Sequence, residues 1–281
     1  MTLASYTSAL LQFQEKGYCV FDNFCNATQI RELKNQAENI VNAFDLERHK
    51  HVFSTTSGDS DRDDFFLNSG DKVRCFLEQD ALDERGELTC DRAFAFNKIG
   101  HALHDLDPVF DRFSRAPTVA QVVSDLGLTQ PQIWQSMYIF KPPRIGGEVQ
   151  WHQDATYFYT QPVTVTTLWF ALDDATVENG CLWVDGNGAD TPLRERFVRR
   201  NNTVTTIPCD PTPWPDETDA TPVEVSAGAL VCFKGTLPHY SAPNRSDKPR
   251  HAYTLHITDG TSTYAPENWL QRDDRLPLRG F

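Results

Sequence analysis

Within GGEVQWHQDATYFYT (146–160) the chain places an imidazole and a carboxylate two positions apart, at His152 and Asp154. On a strand, residues i and i+2 share a face, so the pair can be presented together. With a second histidine from elsewhere it would make a 2-His-1-carboxylate site. Two neutral nitrogens and one anionic oxygen hold Fe(II) without saturating it and leave three adjacent positions open. The chain has 8 His and 39 acidic residues, so one His-x-Asp pair is close to what chance supplies. A polar turn at a strand end is the plain alternative.

The second histidine has to be sought by its surroundings. His101 and His104, in HALH, stand at helical spacing among aliphatic neighbours and read as packing or locally hydrogen-bonded groups. His49 and His51 lie among charges near a helix end and read as solvated surface. His239 differs, because ALVCFKGTLPHYSAPNRSDKPRHAYTLHI traces a strand, a turn, a short strand and a third strand around it. Arg250 follows eleven residues later, on the parity of Ala252, Thr254 and His256. That face carries small and polar groups, as beside a ligand cavity, whereas Tyr253, Leu255 and Ile257 opposite read as packing. A dicarboxylate that chelates iron through one end leaves its far carboxylate to be gripped, and a guanidinium does this with two parallel charge-assisted hydrogen bonds. An exposed Arg after Ser-Asp-Lys-Pro remains the bland alternative for Arg250 alone.

The elements that must position these residues change character along the chain. GYCVFDNF (17–24) reads as a short strand. After Asn26, apolar positions at Ile30, Leu33, Ala37, Ile40, Val41 and Phe44 predict a capped amphipathic helix. STTSGDSDRDDFFLNSGDK (54–72) reads as an acidic surface loop, and NKIGHALHDLDPVFDRFS and PTVAQVVSDLGL as two further helices. From about residue 132, IWQSMYIF, VTVTTLWFAL, NTVTTI, ALVCF and HAYTLHI are short β-branched or aromatic runs between turn residues. No sustained β–α alternation supports a Rossmann sheet. PCDPTPWPDETDATP (208–222), with five prolines, reads as an ordered loop or lid. The expected architecture is α+β, mainly β: one domain over 1–281, a helical buttress mainly in 1–130 and a β-barrel or jelly-roll core mainly in 131–260.

Composition narrows the function classes. The chain of 281 residues is 40% hydrophobic and 23% charged, with a formal net charge of −13. Nucleic-acid binding needs a basic footprint that this balance does not supply. No apolar run approaches the roughly 20 residues that span a bilayer, so no membrane role is expected. The 7 cysteines are scattered, with no CxxC pair, which reads as a reduced cytosolic chain. The first residues lack the look of a secretory signal, and Arg-Gly-Phe is no peroxisomal address. A cytoplasmic location is expected.

Taken together, FLNSGDKVRCFLE, NKIGHALHDLDPVF, QSMYIFKPPRIGGEV, HQDATYFYT, WFALDDATVENGCLW, SDKPRHAYTLH and PENWLQ resemble the phytanoyl-CoA dioxygenase (PhyH) family of Fe(II)/2-oxoglutarate oxygenases. The resemblance runs from about residue 66 to 270. It implies a double-stranded β-helix, a jelly-roll or cupin-like barrel. By position it makes His152, Asp154 and His239 the metal ligands and catalytic centre, and Arg250 the partner of the distal carboxylate of 2-oxoglutarate. It adds Lys98, Met137, Trp169 and Ser241 as cosubstrate contacts. Ser241 alone has independent support, since it shares strand parity with His239. By themselves Lys98 reads as a surface lysine, and Met137 and Trp169 as core residues.

The implied cofactors are Fe(II), 2-oxoglutarate and O2, with ascorbate as a reductant, and the implied products include succinate and CO2. A carboxylate at 154 occupies the place that radical halogenases leave to chloride, which favours hydroxylation. CLWVDGNGAD departs from the Pro-Gly-Ser-His usual after this strand in the family and alters a loop near the barrel mouth. Trp151, Tyr157 and Tyr159, with Phe158, are candidate substrate-box residues, against a reading as strand packing. The expected substrate is a small polar metabolite of organophosphonate or secondary-metabolite type. An acyl-CoA hydroxylated at carbon 2 is the alternative. A cupin metalloenzyme without 2-oxoglutarate, or a non-catalytic binding protein, competes from other classes. The cupin enzyme would have no need of Arg250, and an intact triad with its Arg argues against the binding protein.

Overall fold

Thr2 and Asn26 open the first two helices in the same way. Each side chain accepts a backbone N–H in the first turn, and Ser5 or Gln29 bonds back to the cap N–H, a reciprocal box that satisfies two otherwise orphaned donors. The structure, a computed structural model, describes residues 2–46, 48–53, 64–186, 191–200, 203–216 and 218–281. Helix α1 (Leu3–Lys16) ends at Gly17, whose φ of 78° suits a residue without Cβ, and leads into β1 (Tyr18–Phe21). Helix α2 (Ala27–Ala43) is the helix expected after Asn26 and buries Leu33, Ala37 and Val41 at four-residue spacing. A short α3 (Asp64–Leu67) precedes β2 (Val73–Leu77) and β3 (Phe96–His101). Then come α4 (Leu103–Leu106), α5 (Pro108–Ser114) and α6 (Pro117–Asp125), the last two with proline in the first turn.

The remaining strands are β4 (Pro131–Ile139), β5 (Val149–His152), β6 (Thr160–Gln161), β7 (Thr166–Ala171) and β8 (Leu182–Asp185). They are followed by β9 (Glu195–Arg200), β10 (Thr203–Pro208), β11 (Ala220–Val223), β12 (Leu230–Lys234), β13 (His239–Ser241), β14 (Ala252–Asp259) and β15 (Thr263–Tyr264). A large antiparallel sheet runs β1-β12-β7-β14-β4-β3-β2, and a smaller one runs β11-β8-β13-β5. The two face each other as a jelly roll.

Strand β14 lies between β7 and β4, and all eight of its residues are buried. The period-2 alternation explains how both faces are used. Tyr253, Leu255 and Ile257 join Leu168, Phe170 and Tyr138 against helix residues such as Leu33, Val41, Phe110 and Val122. Each such side chain contributes roughly 1.5–3 kcal/mol on burial. The opposite face of β7 and β14 presents Trp169, Ala171 and Ala252, which pack with Leu182, Val184 and Phe233 between the sheets. The face argued from sequence to border a cavity is therefore the inner one.

Several expectations are corrected. NKIGH is strand β3, not helix, so Lys98 lies on the large sheet, paired with Ile139 of β4. The i, i+3 pattern of this short segment is overridden by pairing on both edges. Strand β1 is the short strand expected in 17–24, whereas β2 and β3 fall in the part expected to be mainly helical; all three extend the large sheet. In the stretch read as a surface loop, 54–63 lies outside the described residues, whereas Leu67, Ser69 and Gly70 are buried. His49 and His51 are half-buried, and the His51 ring stacks on Phe65 at 3.8 Å.

Candidate metal and cosubstrate site

Two strands and one tight turn build the centre. His152 closes β5 and stands opposite His239 of β13 in the ladder, with ring centroids 4.1 Å apart. The chain then leaves the strand: Asp154 begins a 3-10 turn over Asp154–Thr156. The two residues meet because the backbone folds under, not because a strand continues through both. Gln153, fully buried between them, fixes that turn. Its Oε1 accepts the Arg194 N–H at 2.9 Å, and its amide donates to the carbonyls of Pro192 and Thr236. The Ala155 N–H donates to Gly235 at 2.9 Å.

Both imidazoles are oriented alike. Nδ1 of His152 lies 2.8 Å from the Gln150 carbonyl, and Nδ1 of His239 lies 3.1 Å from that of Leu237. A proton on each Nδ1 leaves each Nε2 as a free lone pair. Both Nε2 atoms lie 3.7 Å from Oδ1 of Asp154. The three ligand atoms fall within 4.8 Å of one another. Burial and the neighbouring His239 push His152 down to about 3, so it is a neutral base near pH 7. Burial would raise Asp154, but His256 and His239 outweigh it and hold the carboxyl well below the usual range. A neutral-imidazole, ionised-carboxylate set is what a divalent cation requires.

His256 completes the surroundings, and sequence reasoning placed it on the right face without assigning it a role. Its Nε2 is 3.4 Å from the same Oδ1, its ring stacks on Phe158 at 5.0 Å, and its Nδ1 is buried without a partner among the described residues. The second carboxylate oxygen of Asp154 accepts the Thr167 hydroxyl. One oxygen is thus held and the other faces the imidazoles.

Arg250 lies just before β14 and is only 2% exposed. Its Nε and Nη2 donate to the Gly180 carbonyl at 3.2 and 2.9 Å, and Nη2 also donates to Ser241 Oγ at 3.2 Å. Ser241 Oγ donates to the same carbonyl at 2.9 Å. Nη1 is buried with no partner among the described residues. Burial lowers this guanidinium to about 10, still charged at neutral pH. A buried cation with an unused donor fits an incoming carboxylate, so the residues present fit the cosubstrate that the resemblance implied.

One cavity of about 330 Å³ is lined by the triad, Arg250, Ser241, Lys98, Met137 and Trp169. Arg250 Cζ sits 5.2 Å from the Trp169 ring. Lys98 is buried with Nζ 3.0 Å from the centre of the Phe53 ring. The aromatic group divides. Trp151 and Tyr157 reach the cavity, Trp151 stacking on Tyr240 at 5.5 Å. Tyr159 does not: its hydroxyl donates to Gln161, and Arg196 covers its ring at 4.1 Å. His101 also lines the cavity, with Nδ1 2.7 Å from Ser69 Oγ. His104 is fully buried, with Nδ1 2.8 Å from Ser136 Oγ on β4 and Nε2 3.1 Å from the adjacent Asp105 carboxylate.

The proline-rich segment is fastened to the same centre. Arg194 Nε donates to the carbonyls of Thr212 and Pro213 at 3.1 Å each, and its guanidinium lies 4.9 Å from the Trp214 ring. Of the loop that departs from the family pattern, residues 187–190 lie outside those described.

A family model, Phytanoyl-CoA dioxygenase (PhyH), matches residues 13–252, and the chain belongs to this family. It is a non-haem Fe(II)/2-oxoglutarate oxygenase. Phytanoyl-CoA dioxygenase domain-containing protein 1 homolog of Caenorhabditis elegans is 40% identical over 274 residues, 94% of each chain. Phytanoyl-CoA dioxygenase of Arabidopsis thaliana is 38% identical over 261 residues, 92% of this chain and 91% of its own. Among solved structures, the epimerase SnoN in complex with Fe3+, alpha ketoglutarate and nogalamycin RO matches over 99% of both chains, with a TM-score of 0.66 at 14% identity. That likeness concerns the fold. Among the described residues no helix is long and apolar enough to cross a membrane.

Proposed function

We propose that the chain hydroxylates a C–H bond of a small polar metabolite, of organophosphonate or secondary-metabolite type, in the cytoplasm. Its cofactors are Fe(II) and 2-oxoglutarate, and succinate and CO2 are released. The observation that carries the reading is one cavity onto which the Nε2 atoms of His152 and His239, Oδ1 of Asp154 and the spare donor of buried Arg250 converge. His152, Asp154 and His239 hold the metal. Arg250 and Ser241 take the far carboxylate of the cosubstrate, while Lys98, Met137 and Trp169 wall it. When bound, iron with 2-oxoglutarate and O2 supplies the oxidising power for oxygen insertion. Trp151 and Tyr157 orient the substrate and limit water at the mouth.

A cavity of about 330 Å³ that also holds iron and 2-oxoglutarate leaves room for a small substrate. The formal net charge of −13 disfavours capture of the phosphates of an acyl-CoA. The acyl-CoA reading draws support from the printed name of the Arabidopsis relative. Anaerobic titration with Fe(II) and 2-oxoglutarate tests the core: a metal-to-ligand charge-transfer band and succinate on adding O2 are expected. Absence of both, or an unchanged result in His152→Ala, would sink it. Succinate release stimulated by a small metabolite and not by an acyl-CoA separates the substrate readings.

A further inference from the structure

Beside Arg250 lies a second buried cation with no ion-pair partner among the described residues. Lys141 is 7% exposed and lines the cavity. Its Nζ makes two long contacts, 3.5 Å to the Gly147 carbonyl and 3.4 Å to that of Ser241. Neither Lys141 nor Arg250 meets a carboxylate within 4.0 Å among the described residues. Burying unpaired charge is costly, and here two like charges share one end of one cavity.

The backbone is built to keep the ammonium there. Lys141 has a φ of 41°, an uncommon conformation for a residue with a Cβ. Its carbonyl accepts the Arg250 N–H at 3.2 Å and the Asn244 side-chain amide at 3.0 Å, which locks the turn beside Arg250. Gly180, whose carbonyl holds Arg250 and Ser241, has a φ of 82° and leaves the space Lys141 uses. A Cβ there would stand 2.6 Å from Lys141 Cε.

We propose that Lys141 and Arg250 form a two-cation pocket for the remote carboxylate of the 2-oxo acid, so that Lys141 sets the preference for a dicarboxylate cosubstrate. This rests on the reading of the site as a 2-oxoglutarate site, and assigns it a further binding residue. Arg250 supplies geometry through its fork, and Lys141 supplies a compact charge. Burial, and then Arg250, lower Lys141 to about 7, against the weaker upward pull of Glu78 and Glu148. Cys181, beside Arg250, has its thiol pushed up to about 11 and stays neutral. In the empty site the ammonium is therefore only partly populated near neutral pH. An arriving carboxylate draws the proton on.

The test compares 2-oxoglutarate with 2-oxopentanoate, which has the same chelating head and no remote carboxylate. Both are titrated anaerobically into the Fe(II)-loaded full chain and read by the charge-transfer band. Lys141→Met should weaken 2-oxoglutarate roughly 10–100-fold, the loss expected for a hydrogen bond to a charged group. It should leave 2-oxopentanoate within about twofold, and Lys141→Arg should recover most of the loss. Equal weakening of both ligands, or of neither, overturns the proposal. In the unsubstituted protein, above pH 7 binding must take up a proton, so 2-oxoglutarate affinity should fall between pH 7 and 9 while that of 2-oxopentanoate does not. Parallel pH profiles overturn it without any variant having to fold. No band with either ligand in the unsubstituted protein overturns the 2-oxoglutarate site itself.

Discussion

His256 Nε2 lies 3.4 Å from Oδ1 of Asp154, nearer than either imidazole it shares that oxygen with, at 3.7 Å each. Thr167 engages the other oxygen. The carboxylate is therefore pinned from both sides, and the position of its metal-facing oxygen depends on a residue outside the triad. Partners that orient a ligand in this way typically account for 10–100-fold in metal affinity. His256→Ala should weaken Fe(II) binding by about that factor, measured anaerobically with the triad intact, and His256→Gln should weaken it less. Fe(II) affinity unchanged in both variants would show that Thr167 alone sets the carboxylate.

Gln153 links both ligand residues to two further segments through three hydrogen bonds, one buried and two part-buried. Gln153→Ala would leave two carbonyls and one N–H without partners, each costing roughly 1–3 kcal/mol. We expect a loss of about 3 kcal/mol or more in denaturant unfolding, together with weaker metal binding, because the turn carrying Asp154 loosens. The Arg194 N–H is one of the released groups, so protease cleavage near Trp214 should rise as well. A stability loss with unchanged metal affinity and unchanged cleavage would confine Gln153 to packing.

How much of this was legible before the fold depends on the range of the interaction. The cap at Asn26 and the inner face of β14 follow from local pattern, and the structure agrees with both. His239 was reachable because its flanks read as strand, turn and strand. Lys98 was misplaced on a helix because NKIGHALH carries apolar residues at helical spacing, and only its pairing with β2 and β4 makes it a strand. The Asp154 turn depends on Gln153 reaching segments 39 and 83 residues away, which no window of sequence contains. The role of His256, whose face the strand parity does give, and the role of Lys141 escape a sequence window for the same reason: they act on Asp154 and Arg250, more than a hundred residues off in each case.

His251 gives a pH dependence of stability. Burial lowers it from 6.5 to about 4, against the upward pull of Asp173, with Lys34 and Arg250 lowering it further. Its Nδ1 lies 2.8 Å from the Tyr138 hydroxyl. The folded state thus keeps this imidazole neutral where the unfolded chain would protonate it. As pH falls from about 6.5 to about 4 the unfolded state binds the extra proton, and stability declines across that window. The contribution is on the order of 1–3 kcal/mol. His251→Gln should show a shallower decline in melting temperature between pH 7 and 4.5. Parallel curves for the two proteins would remove His251 from the acid response.

Gly180 concentrates the cosubstrate end of the cavity on one carbonyl, which accepts from Arg250 Nε and Nη2 and from Ser241 Oγ. Its φ of 82° disfavours any residue with a Cβ, and such an atom would stand 2.5 Å from the Ala242 carbonyl oxygen. Neither the backbone oxygen nor the packed Lys141 stem can yield without moving the strand end that carries Ser241. Gly180→Ala should therefore cost roughly 1–3 kcal/mol in stability from overpacking, with backbone strain in addition. It should also weaken 2-oxoglutarate binding, because displacing this carbonyl re-aims the guanidinium. Denaturant midpoints and charge-transfer titration measure the two effects separately. Since Arg250 also has Ser241 as a partner, some affinity should survive, whereas Arg250→Met should abolish the preference for 2-oxoglutarate over 2-oxopentanoate. If Gly180→Ala lowers stability and leaves 2-oxoglutarate affinity intact, the guanidinium is aimed by Ser241 and the Trp169 face instead.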